Sequence, residues 1–365
     1  MNYVTWVMAI FSLVGATDRI FGNRLGLGKE FERGLEMLGA LALSMIGMIV
    51  ISPLIADLLR PVLNAVSGIL PIDPSIVPAS LFANDMGGAA LSAELASNAE
   101  LGAFNGLVVA SMMGATVSFT IPFALGTVQK EHHRELLIGL LCGIVTIPVG
   151  CLVAGLALRL PMIALLLNLC PLVLFSALVA VGLLKAPNLS VKIFGILGIG
   201  IKILITIGLA IGIFQSLTGK IIVTPTESLE NAGLIILNIA AVMTGAFPLI
   251  HLLSKMLKRP FAWLGKKLGV GEIAMAGFLS TLATSAPTFD MVNKMDRRGI
   301  VLNAAFAVSA AFILADHLAF TLAFNAAYLP AVTLGKAVSG ILAVAVAIPI
   351  DKHISRSEAT ADTQE

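Results

Sequence analysis

Long apolar segments separated by short polar connections make up most of this chain. Most of the segments are close to the ~20 residues that an α-helix needs to cross the hydrocarbon core of a bilayer. Because backbone polar groups must be satisfied within the membrane, this pattern predicts an all-α polytopic membrane protein. About eleven segments can be delimited, at residues 3–17, 35–56, 76–97, 101–128, 135–158, 160–184, 191–215, 231–253, 270–291, 299–325 and 329–349.

The composition agrees with this interpretation, since the chain is 58% hydrophobic and only 12% charged. A water-soluble protein of this length needs more polar surface. Residues 3–17 lack a basic leader, so we take them as a first span rather than a signal peptide. The three cysteines have no ligand-like spacing, and no catalytic, cofactor or nucleic-acid motif is evident. We therefore expect no enzyme activity, no cofactor, no metal and no nucleic-acid partner; the partners expected are the lipid bilayer and a small solute.

Lysine and arginine collect in cytoplasmic loops, so their placement orients the segments. If all segments crossed, the basic loops at residues 254–269 and 292–299 would fall on opposite faces. The conflict disappears if segments 76–97 and 270–291 are re-entrant, entering and leaving the membrane on the same face. The sequence thus predicts about nine transmembrane helices plus two re-entrant or broken segments, with the start of the chain outside.

Turn-forming residues interrupt the same two segments. The first contains Asn84-Asp85-Met86-Gly87-Gly88, and the second contains Thr284-Ser285-Ala286-Pro287. Irregular backbone at membrane depth is tolerated only where it is buried in protein or lines a water-filled space. Loop charge and turn chemistry therefore indicate the same two segments independently.

Short motifs recur at an offset of about 200 residues, which indicates an internal repeat. Pro53-Leu54-Ile55 recurs as Pro248-Leu249-Ile250, and Asn105 to Ser111 resembles Asn303 to Ser309. With the topology above, the repeat is inverted, a design that recurs in alternating-access transporters. Chance similarity between apolar segments is the alternative. The predicted division is residues 1–158 as first repeat, 159–185 as linker helix, 186–350 as second repeat and 351–365 as polar cytoplasmic tail.

Ionisable residues within membrane segments are costly and usually face the protein interior or a solute path. Asp85 and the pair Asp316-His317 lie deepest in their segments. Lys202 is a candidate internal counter-ion, whereas Lys336 lies near a segment end, from which a long side chain can reach the interface. Glu94 and Asp290 also lie near segment ends and are expected to be solvated.

These considerations predict a substrate-binding site rather than a catalytic one. Alternatives remain open: Asp85 as a helix cap, Asp316-His317 as a structural pair with His317 orienting Asp316 or titrating with protons, and the asparagines as contacts between helices. Carboxylates with hydroxyls suit a small organic cation that carries a hydroxyl group, and the few aromatic residues disfavour a quaternary-ammonium cage. The predicted binding residues are Asn84, Asp85, Gly87, Gly88, Asn105, Thr284, Ser285, Asn303, Asp316 and His317.

Several of these motifs resemble the ethanolamine utilisation permease family (EutH) nearly from end to end. The resemblance rests on residues 35–43, Asp85-Met86-Gly87-Gly88, residues 143–148, residues 305–312 and Asp316-His317-Leu318. It implies a multi-pass protein of the bacterial inner membrane that brings ethanolamine to cytoplasmic degrading enzymes. A homo-oligomer is compatible with the sequence.

Three rival functions remain: a transporter for another small amine or amino alcohol, a solute channel, and an intramembrane aspartyl enzyme using Asp85 and Asp316. The enzyme is disfavoured because Asn84, not glycine, precedes Asp85.

Overall fold

The computed structural model describes residues 3–69 and 72–362, which are almost entirely α-helical and contain no strand within those ranges. The predicted all-α polytopic class is thereby confirmed. The α-helices are α1 Tyr3–Ile20, α2 Leu27–Leu41, α3 Gly47–Ile69, α4 Ile76–Leu81, α5 Ala89–Leu95, α6 Ala99–Phe104, α7 Ile121–Thr127, α8 His133–Ile144, α9 Ile147–Ala157, α10 Met162–Lys185, α11 Pro187–Thr218, α12 Leu229–Leu268, α13 Glu272–Ala283, α14 Ala286–Val292, α15 Arg297–Ala310, α16 Asp316–Asn325 and α17 Leu329–Asp362.

Seven helical stretches in the described residues are long and apolar enough to cross a bilayer. The helix α1 falls outside this set because polar residues at its C-terminal end lower the mean hydropathy of this 18-residue helix. The helix α15 falls outside it because it is only 14 residues long. The count of nine crossings therefore stays a prediction. The seven stretches are Leu27–Ala65, Ala99–Thr127, Lys130–Ala157, Met162–Lys185, Pro187–Thr218, Leu229–Leu257 and Asp316–Ile354.

Both segments with turn chemistry are broken in the structure. At the first break (residues 82–88), α4 ends at Leu81, the chain is extended at Phe82, and it resumes as a π-helical turn over Asn84–Gly88. At the second break (residues 284–285), the chain is extended at Thr284 before α14 begins at Ala286. Pro287 sits in the first turn of α14, where its missing N–H costs no helical hydrogen bond.

A third break, at residues 311–315, separates α15 from α16 and was not predicted. Phe312 adopts a positive φ of 64°, which a non-glycine residue rarely takes. Its N–H donates to the carbonyl oxygen of Thr281 at 3.1 Å, and that of Leu314 donates to Leu282 at 2.9 Å. The C-terminal end of α13 therefore satisfies the unwound backbone of the third break. No proline or glycine marks this position, so local turn chemistry could not reveal it.

The loops predicted to face the cytoplasm contact one another. Lys255 Nζ donates to the carbonyl oxygen of Leu25 at 3.2 Å, which joins the basic C-terminal half of α12, predicted from the sequence to be a cytoplasmic loop, to the loop after α1. The N–H of Gln129 donates to Asn293 Oδ1 at 3.0 Å, joining the connections after α7 and α14. If segments 76–97 and 270–291 each crossed the membrane, the partners in both contacts would lie on opposite faces.

The loops predicted to face outward contact one another in the same way. The hydroxyl of Tyr328 donates to the carbonyl oxygen of Glu100 at 3.2 Å. Asp73 Oδ2 accepts from the N–H groups of Ser97 at 3.1 Å and Asn98 at 3.0 Å. Two groups of loops result, and this grouping is the one that two re-entrant segments would produce.

The two predicted repeats interlock and do not form separate bodies. The helix α1 packs on α12, and α11 packs on α3. At the second of these crossings, a Cβ added to Gly208 would lie 2.0 Å from the carbonyl oxygen of Gly47. Small residues let the two backbones approach closely, as is common between membrane helices. Each half therefore depends on the other for its packing.

We expect the membrane topology to be visible in cysteine labelling. In a variant with Cys170 replaced by alanine, a membrane-impermeant maleimide should reach Ser97→Cys only from outside and Lys294→Cys only from the cytoplasm, since both positions are exposed in loops of opposite groups. Labelling of both positions from the same side would contradict the arrangement.

We also expect Gly208→Ala to destabilise the protein by roughly 1–3 kcal/mol, because the added methyl group overpacks the α3–α11 crossing. Thermal unfolding of the purified protein measures the effect. The matched control is Gly198→Ala on the same helix, where an added Cβ meets nothing within 4 Å. An equal loss of stability in both variants would argue against close packing at Gly208.

Candidate functional site

The first break brings Asp85 close to Asp316. The π-helical turn that carries Asp85 packs against α16, which begins at Asp316, and the two carboxylates are within electrostatic range of each other. Both residues are partly exposed. The structure therefore joins the two acidic positions that the sequence singled out separately.

Four polar atoms at the first two breaks are buried without a hydrogen-bond partner among the described residues. They are both side-chain amide atoms of Asn84, Oδ1 of Asp85 and Oγ of Ser285. Asn84 is 1% exposed, and Ser285 is fully buried. An unsatisfied buried polar atom typically costs about 1–3 kcal/mol, so such groups are retained where they serve a ligand or water. Asn84 lies within the first break and Ser285 within the second.

Gly87 and Gly88 shape the first break by letting it pack closely. Gly87 has a φ of 105°, and a Cβ there would lie 2.0 Å from Cγ of Met48. A Cβ on Gly88 would lie 2.3 Å from the carbonyl oxygen of Phe82. Any side chain at either position would push the break away from its neighbours, and the Asp85 carboxylate would move with it.

Lys336 is buried at 1% exposure, so the interpretation that it reaches the interface is wrong. Its Nζ donates to the carbonyl oxygen of Ser111 at 2.6 Å and contacts Nδ1 of His317 at 3.1 Å. Lys336 lies seven residues into α17, roughly 10 Å along the helix at 1.5 Å per residue, and α17 packs into the bundle along its length. Depth and tertiary packing thus keep the ammonium inside.

His317 is also buried, at 2% exposure. When Lys336 is protonated, Nδ1 of His317 must accept its hydrogen bond, so the neutral ring carries its proton on Nε2. His317 therefore contacts the lysine, and the expected arrangement in which it orients Asp316 directly is not seen among the hydrogen bonds of the described residues.

The other ionisable residues singled out by the sequence lie away from this group. Lys202 is exposed on α11, so its assignment as the internal counter-ion is wrong. The α11 face that carries it does not pack into the bundle, whereas Lys336 does. Glu94 and Asp290 are exposed, as expected for positions near segment ends. We call Asp85, Asp316, His317 and Lys336 the interior charge group.

Asn105 and Asn303 connect helices in matching ways. The side-chain amide of Asn105 donates to Ser75 Oγ at 2.8 Å, next to the start of α4. That of Asn303 donates to the carbonyl oxygen of Ala274 at 3.0 Å, near the start of α13. Asn105 also exchanges two hydrogen bonds with Asn168 of α10. Each asparagine thus anchors the first half of a broken helix, which favours the structural alternative.

Thr284 lines a cavity of about 390 Å³ that extends from the predicted cytoplasmic loops to the second break. Arg33 in its wall is within electrostatic range of Asp316, pairs with Glu30 at 3.5 Å and lies over the Phe247 ring. The cavity thus connects residues of α2 and α12 with the second break. Its lining comprises Glu30, Arg33, Phe247, Ile250, His251, Ser254, Ala276, Leu279, Ser280, Ala283, Thr284 and Pro287.

A cluster of phenylalanine rings beside the third break was missed by the sequence analysis. The Phe119 ring stacks on Phe123 at 5.3 Å and meets Phe312 edge-on at 5.6 Å. The Phe312 ring lies 4.9 Å from the His317 imidazole. Low overall aromatic content gave no hint of the cluster, because rings far apart in the chain meet only in the folded bundle.

These features define a polytopic α-helical membrane protein with a charged polar site between broken helices. Residues 1–350 match the model of the family described as ethanolamine utilisation protein, EutH, and the chain belongs to that family. The predicted family resemblance is confirmed. Its members are named permeases, so this is a transport protein and not an enzyme.

Several relatives match over nearly their whole length. The probable ethanolamine permease EutH of Listeria monocytogenes is 44% identical over 345 residues, 94% of this chain and 92% of the relative. The probable ethanolamine permease EutH of Escherichia coli strain K12 is 36% identical, covering 99% of this chain and 97% of the relative. The uncharacterized protein YxeR of Bacillus subtilis is 36% identical over 344 residues, 94% of this chain and 93% of the relative. No solved structure matches.

We expect Asn105→Ala and Asn168→Ala each to destabilise the protein by about 1–3 kcal/mol, because each leaves a buried amide without its partner. A double-mutant cycle on thermal unfolding should show that the double variant loses less than the sum of the two single losses. Full additivity would mean that the reciprocal hydrogen bonds contribute nothing, and would reopen a substrate role for Asn105.

Proposed function

We propose that this protein brings ethanolamine across the bacterial inner membrane into the cytoplasm, as a facilitator or secondary transporter. The observation that carries the proposal is that Asp85 and Asp316 lie on elements that pack against each other, with the unpartnered amide of Asn84 next to Asp85 in the same turn. Ethanolamine at neutral pH carries an ammonium and a hydroxyl two carbons apart. The carboxylates suit the ammonium, and the unpartnered Asn84 and Ser285 side chains suit the hydroxyl. The names of two relatives, each called a probable ethanolamine permease, support the same substrate.

The breaks supply the geometry that such a site needs. Half-helices that end inside a membrane protein expose backbone groups and helix termini to a solute, as in other transporters with broken helices. The cavity at Thr284 would then be the cytoplasmic exit. Movement of the two interlocked halves against each other would expose the site alternately to the two faces. Residues 76–97 and 270–291, as re-entrant segments of an inverted repeat, fit this scheme.

The nearest rival substrate is another small amine or amino alcohol, because the same carboxylates would hold any small ammonium. Competition uptake assays in proteoliposomes separate the candidates. Ethanolamine should compete more strongly than propylamine, which has an ammonium but no hydroxyl for Asn84 and Ser285. A channel, by contrast, would show neither saturation nor counterflow.

We expect Asp85→Asn and Asp316→Asn each to abolish uptake of low micromolar ethanolamine near pH 6, while the protein still reaches the membrane. Removal of either carboxylate takes away an anion that the ammonium needs, whereas at this pH little uncharged ethanolamine crosses lipid unaided. Radiolabelled uptake into proteoliposomes measures the effect, and Asp290→Asn, an exposed carboxylate on α14, is the control. Wild-type uptake rates in both variants would remove the carboxylates from the mechanism.

A further inference from the structure

The helix α12 is too long to lie within the membrane over its whole length. Its 40 residues span roughly 60 Å at 1.5 Å per residue, about twice the ~30 Å thickness of the hydrocarbon core. The apolar stretch that can cross the bilayer ends at Leu257, and the helix continues for about three turns to Leu268. We call residues 255–268 the basic extension, because they contain five lysine or arginine residues and no acidic residue.

The basic extension packs on the bundle through one apolar side. Phe261 and Leu268 pack against a core cluster that includes Met275 and Phe278 of α13. Gly265 allows this close approach, since a Cβ at that position would lie 2.7 Å from Cγ of Met275. The extension is therefore fixed against α13, and its basic side chains lie on the remaining sides of the helix.

The last turns of the basic extension lie at membrane depth and do not project into water. Leu264 and Leu268 line an apolar groove of about 270 Å³ together with Ile341 and Val344 of α17. These two residues of α17 precede the charged Asp351 by ten and seven residues, roughly 15 and 10 Å along the helix. One leaflet contributes about 15 Å of hydrocarbon, so the apolar groove extends alongside the acyl chains.

The apolar groove is open to the outside and meets a polar cavity at one aromatic ring. Leu264 and Ile341 in the wall of the groove are 37% and 64% exposed. Phe261 lines both the groove and a polar cavity of about 510 Å³, whose wall also contains Lys266 and Glu272. A molecule with an acyl chain and a polar headgroup matches this arrangement of apolar and charged surface.

The charge of the basic extension selects the kind of headgroup. Arg259 and Lys266 are both exposed and lie two turns apart on the same side of the helix. Lys267 is also exposed, and its Nζ lies 4.6 Å from the centroid of the Trp263 ring. Tryptophan is enriched at the membrane–water interface, and clusters of about four to eight basic residues beside a transmembrane helix attract anionic lipids. An anionic headgroup therefore complements this surface.

We infer that the apolar groove and the polar cavity bind one anionic phospholipid, with an acyl chain in the groove and the phosphate near Lys266 and Arg259. The groove supplies contacts for the chain that a plain charged surface lacks. Glu272 in the polar cavity accepts hydrogen bonds from hydroxyl groups of a glycerol headgroup. Headgroup charge and acyl chain are thus recognised together at the α12–α13 boundary.

The inferred lipid site adjoins the proposed solute path without forming part of it. Ser254 and Leu279 line both the polar cavity and the cavity at Thr284. A lipid bound between α12 and α13 therefore stabilises one wall of that cavity. The interior charge group lies on the first break, α16 and an earlier part of α17, so the lipid site is independent of which solute is carried.

Native mass spectrometry of the purified full-length protein tests the headgroup preference. Phosphatidylglycerol and phosphatidylethanolamine with the same acyl chains are added at equal concentration. We expect the complex with one phosphatidylglycerol to be at least about fivefold more abundant, the effect of about one basic residue near an anionic surface. Arg259→Gln with Lys266→Gln should bring the ratio to within about twofold of one. Lys192→Gln with Lys202→Gln, which removes two exposed lysines of α11, should retain the wild-type ratio.

A second variant tests the groove separately from the charge. Val344→Phe fills part of the apolar groove and leaves every basic residue in place. The complex with phosphatidylglycerol should become about fivefold less abundant, as expected when about one methylene group of the chain loses its contact. Leu178→Phe on the outer side of α10, where Leu178 is 67% exposed, is the matched control and should have no effect.

Photolabelling locates the bound lipid. Phosphatidylglycerol with a diazirine on its acyl chain, added at one equivalent to the purified protein, should label peptides of α12, α13 and α17 that line the groove. Equal binding of the two lipids would overturn the inference, as would an unchanged ratio in Arg259→Gln with Lys266→Gln. It would also be overturned by equal effects of Val344→Phe and Leu178→Phe, by labelling confined to other helices, or by a lipid-free dimer that buries the groove.

Discussion

Unwound backbone inside a membrane protein must find hydrogen bonds, and the organisation of this molecule follows from that requirement. The third break is satisfied by the end of α13, through the carbonyl oxygens of Thr281 and Leu282. The first break is held in a related way, since the N–H of Ala83 donates to Ser118 Oγ at 3.1 Å. The third break is therefore stabilised by α13 of the segment before it, and the first break by Ser118 of the helical stretch after it. Without these neighbours the breaks would cost several kcal/mol per unsatisfied group in lipid.

Close approach of the backbones makes these hydrogen bonds possible, and small residues allow that approach. A Cβ on Gly114 would collide with the carbonyl oxygen of Phe82 at the first break. A Cβ on Gly47 or Gly208 would likewise collide with the backbone at the α3–α11 crossing, and this crossing connects the two halves. Because helices in a bilayer gain little from burying apolar surface against one another, such contacts and the hydrogen bonds that they permit decide the packing. The breaks can then present polar atoms inwards without exposing them to lipid.

Charge is the second constraint on the interior. Two carboxylates close together in a low-dielectric environment repel each other, and a buried ammonium without an anion is equally unfavourable. Lys336 is buried with two neutral hydrogen-bond partners, the Ser111 carbonyl oxygen and the His317 ring, while Asp85 and Asp316 lie on elements that pack against each other. In the proposed function, the ammonium of the solute would bind at the two carboxylates and the solute would leave through the cavity at Thr284. Substrate choice and the resting structure would then depend on the same electrostatic balance.

The amino-acid sequence by itself determined the membrane class, the family and the two breaks at Asp85 and Thr284, and it singled out Asp85 and Asp316 as the acidic positions deepest in their segments. These properties depend on local signals: apolar run length, loop charge, glycine and proline, and acidic residues inside apolar segments. Only the tertiary structure decided that Lys336 and not Lys202 is the buried cation, that Asn105 and Asn303 anchor helices, and that α15 and α16 are separated by a break. In each case the result depends on which face of a helix packs against a segment far away in the chain. When a helix is apolar on all sides, its own sequence does not indicate which face is buried.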